Sequence, residues 1–287
     1  MLTEVGLPLY ATFLVLGAAV AHAAWNAIAH GNEDKTVVLT QMAFGCAAVA
    51  IPLILISPMP KAASWPWLIA SVIVHIAYNL LLMTSYRLGD FGQMYPVARG
   101  SSPLIVTGLA AFFLHERPLP LELAGVIVIS IGLASLVFAT GVRLRRANVK
   151  AIGAALATGL TIAVYTTIDG TGVRASGSPA GYTGWLLLLS MLTMVAYALL
   201  RRGPVIFTQV RHKPWPGLLG GVLSLTAYGL VLWAQTMGPL AAISALRETS
   251  IVVGAIIAAV VFKEGFGPRR IAATFIVFVG IALINLS

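Results

Sequence analysis

The chain has 287 residues, of which 59% are hydrophobic and 9% charged, with a formal net charge of +9. A mean hydropathy of +0.94 excludes an ordinary soluble domain, whose surface needs far more charge to stay dissolved. The basic residues are scattered between apolar stretches instead of forming one face, so they speak for membrane orientation and against nucleic acid as a partner. The single cysteine, Cys46, supplies neither an internal disulfide nor a metal cluster, and neither metal nor cofactor is expected.

Crossing a hydrocarbon layer of about 30 Å takes about 20 apolar residues. Ten such stretches follow one another at residues 8–30, 36–57, 65–88, 92–114, 119–140, 148–168, 180–200, 213–236, 240–262 and 268–286. The first has no basic leader or cleavage signature and reads as a retained helix. The fourth carries Pro96 and Pro103, which free backbone carbonyls and invite a kink, so it reads as the gate or hinge. The sixth ends in a polar, Gly-rich run, Asp169-Gly170-Thr171-Gly172 on to Ser178-Pro179, and invites a break or a re-entrant turn.

An internal repeat organises these segments. An offset of 148 residues lays Arg99 on Arg247, Ser102 on Ser250, Glu116 on Glu264, Pro120 on Pro268 and Gly132 on Gly280 without a gap. One or two inserted residues upstream bring Ala77-Tyr78 onto Ala227-Tyr228, so segments three to five repeat as eight to ten. Trp25 and Tyr165 extend the relation to the first and sixth. The expected fold class is therefore an all-α membrane protein of ten spans, with one five-helix unit at residues 1–145 and another at 146–287. Because five is odd, the two units enter the bilayer from opposite sides, an inverted repeat of the kind secondary transporters use to alternate access.

With these features the chain resembles the EamA-type members of the drug/metabolite transporter superfamily, ten-helix carriers that include bacterial exporters of aromatic and other amino acids. The resemblance rests on a Glu and Pro pair bridging two helices in each half, LHERPLPLELAGVIVISIGLAS and FKEGFGPRRIAATFIVFVGIAL, and on the aromatic residues Trp25 and Tyr165. It implies a basket of helices around a central cavity open to one face at a time. Glu116 and Glu264 themselves stand at turns ahead of prolines and read as structural caps.

Loop charge sets an expected orientation. Loops after odd-numbered segments hold Lys35, Arg87, Arg143, Arg145, Arg146, Lys150, Arg201, Arg202, Arg211, Lys213, Lys263, Arg269 and Arg270, whereas loops after even-numbered ones hold Lys61, Arg117 and Arg174. The basic side faces the cytoplasm, which puts both termini outside it, in a cell (inner) membrane. Related carriers often keep a basic N-terminus inside, so this orientation departs from the resemblance.

Ionisable groups within the segments are costly in lipid and so mark a functional interior. His22, Trp25 and Asn26 share one stripe of the first segment; His75, Tyr78 and Asn79 mark the third, and Tyr95, Arg99 and Ser102 the fourth. Their counterparts are Thr161, Tyr165 and Asp169 in the sixth, Ser224, Tyr228 and Gln235 in the eighth, and Ser244, Arg247 and Ser250 in the ninth. The expected substrate-binding set is His22, Trp25, Asn26, Tyr78, Asn79, Tyr95, Arg99, Ser102, Tyr165, Tyr228, Arg247 and Ser250. Trp25, Tyr78, Tyr95, Tyr165, Trp185, Tyr228 and Trp233 offer walls for an apolar or aromatic solute, while Trp65, Trp67 and Trp215 fit an interfacial belt. His22, His75, Asp169 and Glu248 are four candidate proton carriers among which the sequence does not choose. Arg99 and Arg247 each lie about seven residues, roughly 10 Å of rise, inside a helix, and two readings stay open: snorkelling to headgroups, or facing the cavity to pair with a carboxylate. Glu248 adjoins Arg247, but successive helical residues point about 100° apart and are not expected to pair.

The sequence holds no HExxH, GxSxG, paired CxxC or Walker-type motif, so an enzyme is not indicated. The first segment has no carboxylate midway, unlike small cation-selective multidrug carriers of the superfamily. The expected function is export of apolar or aromatic amino acids, or related small metabolites, by alternating access. Organic-ion efflux is one alternative, and the other is a non-transporting scaffold in which Gly217 and Gly221 serve packing alone. The expected partners are the small solute and the lipid bilayer, and two halves in one chain make a monomer sufficient.

Overall fold

The computed structural model describes residues 7–30, 34–88, 91–139, 149–261 and 267–286, and within them every regular element is helical. In chain order these are α1 (Leu9–His30), α2 (Lys35–Ile56), α3 (Trp65–Leu88), α4 (Phe91–Phe113), α5 (Pro120–Ala139), α6 (Val149–Ser176) and α7 (Pro179–Arg202). There follow a short α8 (Ile206–Gln209), α9 (Trp215–Gln235), α10 (Leu240–Arg247), α11 (Ser250–Val261) and α12 (Pro268–Asn285). Six stretches, Leu9–Ala29, Thr36–Ile56, Ala62–Leu82, Val149–Ser176, Pro179–Gln209 and Trp215–Gln235, are long and apolar enough to cross a bilayer. Shorter apolar helices run over Val97–Phe113, Pro120–Ser135 and Ile271–Asn285. Leu55, Phe112, Phe113, Leu200 and Phe275 are exposed on the outside, as a chain solvated by lipid allows.

The helices pack in pairs. α5 lies along α12, α3 along α6, α1 along α9, α2 between α7 and α9, and α4 against α6 and α5. Close approach explains the α5–α12 pair: a Cβ at Gly125 would fall 2.7 Å from the Gly280 carbonyl, and one at Gly280 2.9 Å from that of Gly125. Helix ends are satisfied locally and from afar. Asp34 Oδ1 accepts from the backbone N–H groups of Thr36 and Val37 and caps α2, and Ser178 Oγ accepts from Gly181 to cap α7.

Three sequence expectations change. The Gly-rich run neither breaks nor re-enters, because α6 continues unbroken to Ser176. Its glycines serve close packing instead: Gly170 lies against Leu240, where an added Cβ would fall 2.6 Å from the side chain, and Gly172 against Tyr182. α4 stays helical past Pro96 and Pro103, which leaves the kink expected there open, whereas the ninth segment, expected to be continuous, stops at Arg247 and restarts at Ser250. There the amides of Thr249, Ile251 and Val252 bond three residues back, and Thr249 Oγ1 takes the Leu246 carbonyl at 2.6 Å, so a hydroxyl competes with the helical ladder. Arg174, assigned to a loop, occupies the last turn of α6.

Glu116 is a cap, though not of its own neighbour. Its Oε2 accepts from the Leu240 N–H at 2.9 Å and caps α10, and its Oε1 meets Arg174 Nη1 at 2.5 Å. Arg174 also donates to the carbonyls of Gln235 and Gly238 at 2.7 Å each. Glu122 receives the Leu119 N–H at the start of α5. Glu264 lies outside the described residues.

Candidate functional site

Two buried polar clusters meet inside the bundle. The first joins α1, α4, α6 and the α10–α11 turn. Arg99 Nη1 donates to both oxygens of Glu248, at 3.1 and 2.9 Å, and Arg247 reaches Glu248 Oε1 through Nε at 3.3 Å and Nη2 at 3.1 Å. Arg99 is 6% exposed, Arg247 5% and Glu248 0%, which removes the snorkelling reading: a guanidinium reaching for headgroups would be open at the helix end. The Arg247–Glu248 pair overturns the expectation of divergence, since α10 ends at Arg247 and Glu248 occupies a turn to which the 100° step of a continuous helix does not apply.

Around this core, Arg99 Nη2 lies 3.0 Å from His22 Nε2, and Arg247 Nη2 lies 3.4 Å from Thr166 Oγ1. Trp25 Nε1 approaches His22 Nδ1 at 3.3 Å, with the two rings edge to face at 5.0 Å. A neutral imidazole has one proton and cannot accept at both nitrogens. The shorter, charge-assisted contact from Arg99 takes the Nε2 lone pair, leaving Trp25 as an edge-on packing neighbour. Asn26 donates to the His22 carbonyl within α1 at 2.8 Å. Ser102 and Ser250, matched in the repeat, are both buried, and among the described residues their hydroxyls and that of Ser244 have no hydrogen-bond partner.

The second cluster gathers on Asp169 of α6, which is fully buried. Tyr182 of α7 donates to its Oδ1 at 3.3 Å, and Tyr228 of α9 donates to its Oδ2. His75 of α3 stacks on Tyr165 with centroids 4.2 Å apart and meets Tyr228 edge-on at 5.9 Å, while Tyr78 meets Tyr165 edge-on at 5.7 Å. Tyr165 links the clusters, since the Arg247 guanidinium carbon lies 5.8 Å from its ring centroid. Asn79 is half-buried beside Tyr78 on α3.

Of the predicted residues, His22, Trp25, Arg99, Arg247, Glu248 and Tyr165 come together in or against the first cluster, and His75, Tyr78, Asp169 and Tyr228 in the second. Trp233, read as a wall, is 50% exposed and turns away from the interior. The side chains of Tyr95 and Pro96 lie outside the described residues. Sequence reasoning missed Thr166 and Tyr182; Tyr182 reaches Asp169 from the next helix, so no spacing within either helix announces the contact. Two cavities, of about 490 and 360 Å³, share Gln41 and lie near Phe207 and Asp34 respectively; none of the predicted substrate residues lines either.

Long apolar helices with charged groups folded into a common interior define a multi-pass membrane protein carrying a buried polar site. Residues 149–286, a little under half of the chain, are similar to the EamA-like transporter family. A solved crystal structure is similar at a TM-score of 0.75 over 96% of each chain, with 17% identity, a likeness of fold alone. No curated protein sequence matches the chain.

Proposed function

We propose that this chain is a secondary transporter that moves carboxylate-bearing solutes, foremost apolar and aromatic amino acids, by alternating access. The observation that carries the reading is the placement of Arg99 and Arg247, repeat equivalents, deep in the interior around one carboxylate. Arg247 presents a two-donor edge, Nε and Nη2, of the kind that binds a carboxylate, and both donors meet one oxygen of Glu248. Trp25, Tyr78, Tyr165 and Tyr228 supply rings for an apolar side chain. Asp169 stands one helical turn, about 5–6 Å, from the level of Tyr165 and Thr166 on α6, a spacing that suits the ammonium end of an amino acid whose carboxylate meets Arg247.

Alternating access rests on two five-helix halves, residues 1–145 and 146–287, in inverted arrangement. Packing supports them. Exchanging the first five segments for the second five converts the α1–α9 contact into α6–α3 and the α4–α6 contact into α10/α11–α1, and returns α2–α7 and α5–α12 to themselves. The 148-residue offset likewise turns the Gly125–Gly280 approach into Ala273–Gly132, which is also close. The hinge in this reading is the α10–α11 interruption. Both termini outside the cytoplasm, in an inner membrane, complete the reading; reporter fusions active in the cytoplasm at both ends would reverse it.

A second reading, efflux of organic cations, draws on Asp169 among Tyr165, Tyr182, Tyr228 and His75, an acid with aromatic neighbours. Flux in proteoliposomes separates the two, using a panel of amino acids, organic acids and cationic dyes with and without a proton gradient. Uptake of amino acids is the expected result. Uptake of the dyes without any amino acid or organic anion sinks the carboxylate reading, and the effect of the gradient tests whether His22, His75, Asp169 or Glu248 couples protons.

A further inference from the structure

Resting on the carboxylate reading, we infer that Glu248 is a displaceable internal occupant of the carboxylate-binding edge of Arg247, and that a solute carboxylate takes that edge over when it binds. A guanidinium holds a carboxylate best through two parallel N–H groups to two oxygens, at about 2.7–2.9 Å. On Arg247 the Nε and Nη2 groups form such an edge, yet both spend themselves on the single oxygen Oε1 of Glu248, at 3.3 and 3.1 Å. The edge is filled, but with one oxygen and at stretched distances.

The opposite side of Glu248 is held better. Arg99 Nη1 faces both of its oxygens, the nearer at 2.9 Å. Glu248 can therefore release Arg247 while staying neutralised by Arg99, so the exchange strands no buried charge. The other carboxylate at hand, Asp169, is engaged by the hydroxyls of Tyr182 and Tyr228. The backbone at Glu248 belongs to the α10–α11 turn, so its side chain is carried by an interruption and not by a rigid helix. Ser244 and Ser250 flank it in sequence, both buried, and their hydroxyls have no partner among the described residues, leaving donors for an arriving carboxylate oxygen.

This occupancy makes Glu248 a competitor of the solute for Arg247, and the test measures that competition. L-phenylalanine binding to the purified full chain is compared between wild type and Glu248→Gln, with phenethylamine as the matched ligand lacking a carboxylate. The isosteric amide keeps an oxygen near both arginines and removes the competing charge. Phenylalanine should bind about tenfold tighter to the variant, with phenethylamine unchanged. Equal or weaker phenylalanine binding by a folded variant overturns the inference. If wild type binds neither phenylalanine nor any other carboxylate solute, the carboxylate reading itself falls, and the inference with it. Should Glu248→Gln fail to fold, Glu248→Ala is prepared in sodium acetate or sodium chloride: selective recovery of the thermal transition in acetate supports a replaceable carboxylate, and equal behaviour in both salts overturns it.

Discussion

α4 and the α10–α11 pair carry the same arginine and the same serine in the same register, yet their backbones behave in opposite ways. α4 has prolines at 96 and 103 and runs through them; its counterpart has none and parts at Glu248-Thr249. In α4 the two positions matching that break are Gly100 and Ser101, and Gly100 sits against α5, where an added Cβ would find only ordinary contacts, the nearest at 3.5 Å. The difference teaches that a helix interior is interrupted by what competes for its hydrogen bonds and charges, here a threonine hydroxyl and a carboxylate pulled by two arginines, as much as by proline.

The matched positions 248 and 100 give the largest test of that contrast. Glu248→Ala removes the carboxylate that two buried guanidiniums share and should cost about 3–5 kcal/mol, whereas Gly100→Ala should stay within about 1 kcal/mol of wild type, both read from unfolding in detergent. Similar losses at the two positions would erase the asymmetry. Next in size is the pair of arginines. Arg247→Lys removes the two-pronged edge and should lower flux of a carboxylate solute about tenfold or more, and Arg99→Lys, whose Nη1 faces both oxygens of Glu248, should lower it less. A third comparison concerns the backbone: Thr249→Val removes the hydroxyl bond to Leu246 and should change stability by about 1 kcal/mol, while Pro103→Ala in unbroken α4 should leave flux within about twofold.

The smallest effect is expected where the same carboxylate–arginine chemistry is wet. Asp34 meets Arg202 at 2.6 Å, but their side chains are 43% and 31% exposed, so Asp34→Asn should cost under about 1 kcal/mol and less in high salt. The hydrogen bond from Arg202 holds the Asp34 carboxyl below its ordinary value. Its contribution is therefore fully present above the usual carboxylate range and fades as pH falls through the lowered value, which a pH series of unfolding curves on wild type and Asp34→Asn checks.

Much of this was legible in the sequence, for reasons that differ by feature. Apolar length and the 148-residue offset located the helices and singled out Arg99 and Arg247, since those signals are periodic and local. Glu248 as a shared partner was not legible: the rule for successive helical residues presumes an unbroken helix, and neither Gly nor Pro marks the break. Asp169-Gly170-Thr171-Gly172 misled in the other direction. Its glycines answer to Leu240 and Tyr182, side chains more than nine residues away, so the same letters that signal a turn in isolation signal contact here. Tyr182 itself escaped notice because only the pairing of α6 with α7 brings it to Asp169.

Glu116 gives one end of the bundle a mechanical character. A single carboxylate there both neutralises Arg174 and terminates α10, while Arg174 clamps the two carbonyls just ahead of that helix. Parting the segments at this point surrenders an ion pair, a helix cap and two carbonyl bonds in one stroke, because all pass through the same two side chains. Such a fastening gathers its bonds on two side chains, and it sits eight residues along the chain from the turn that holds Glu248.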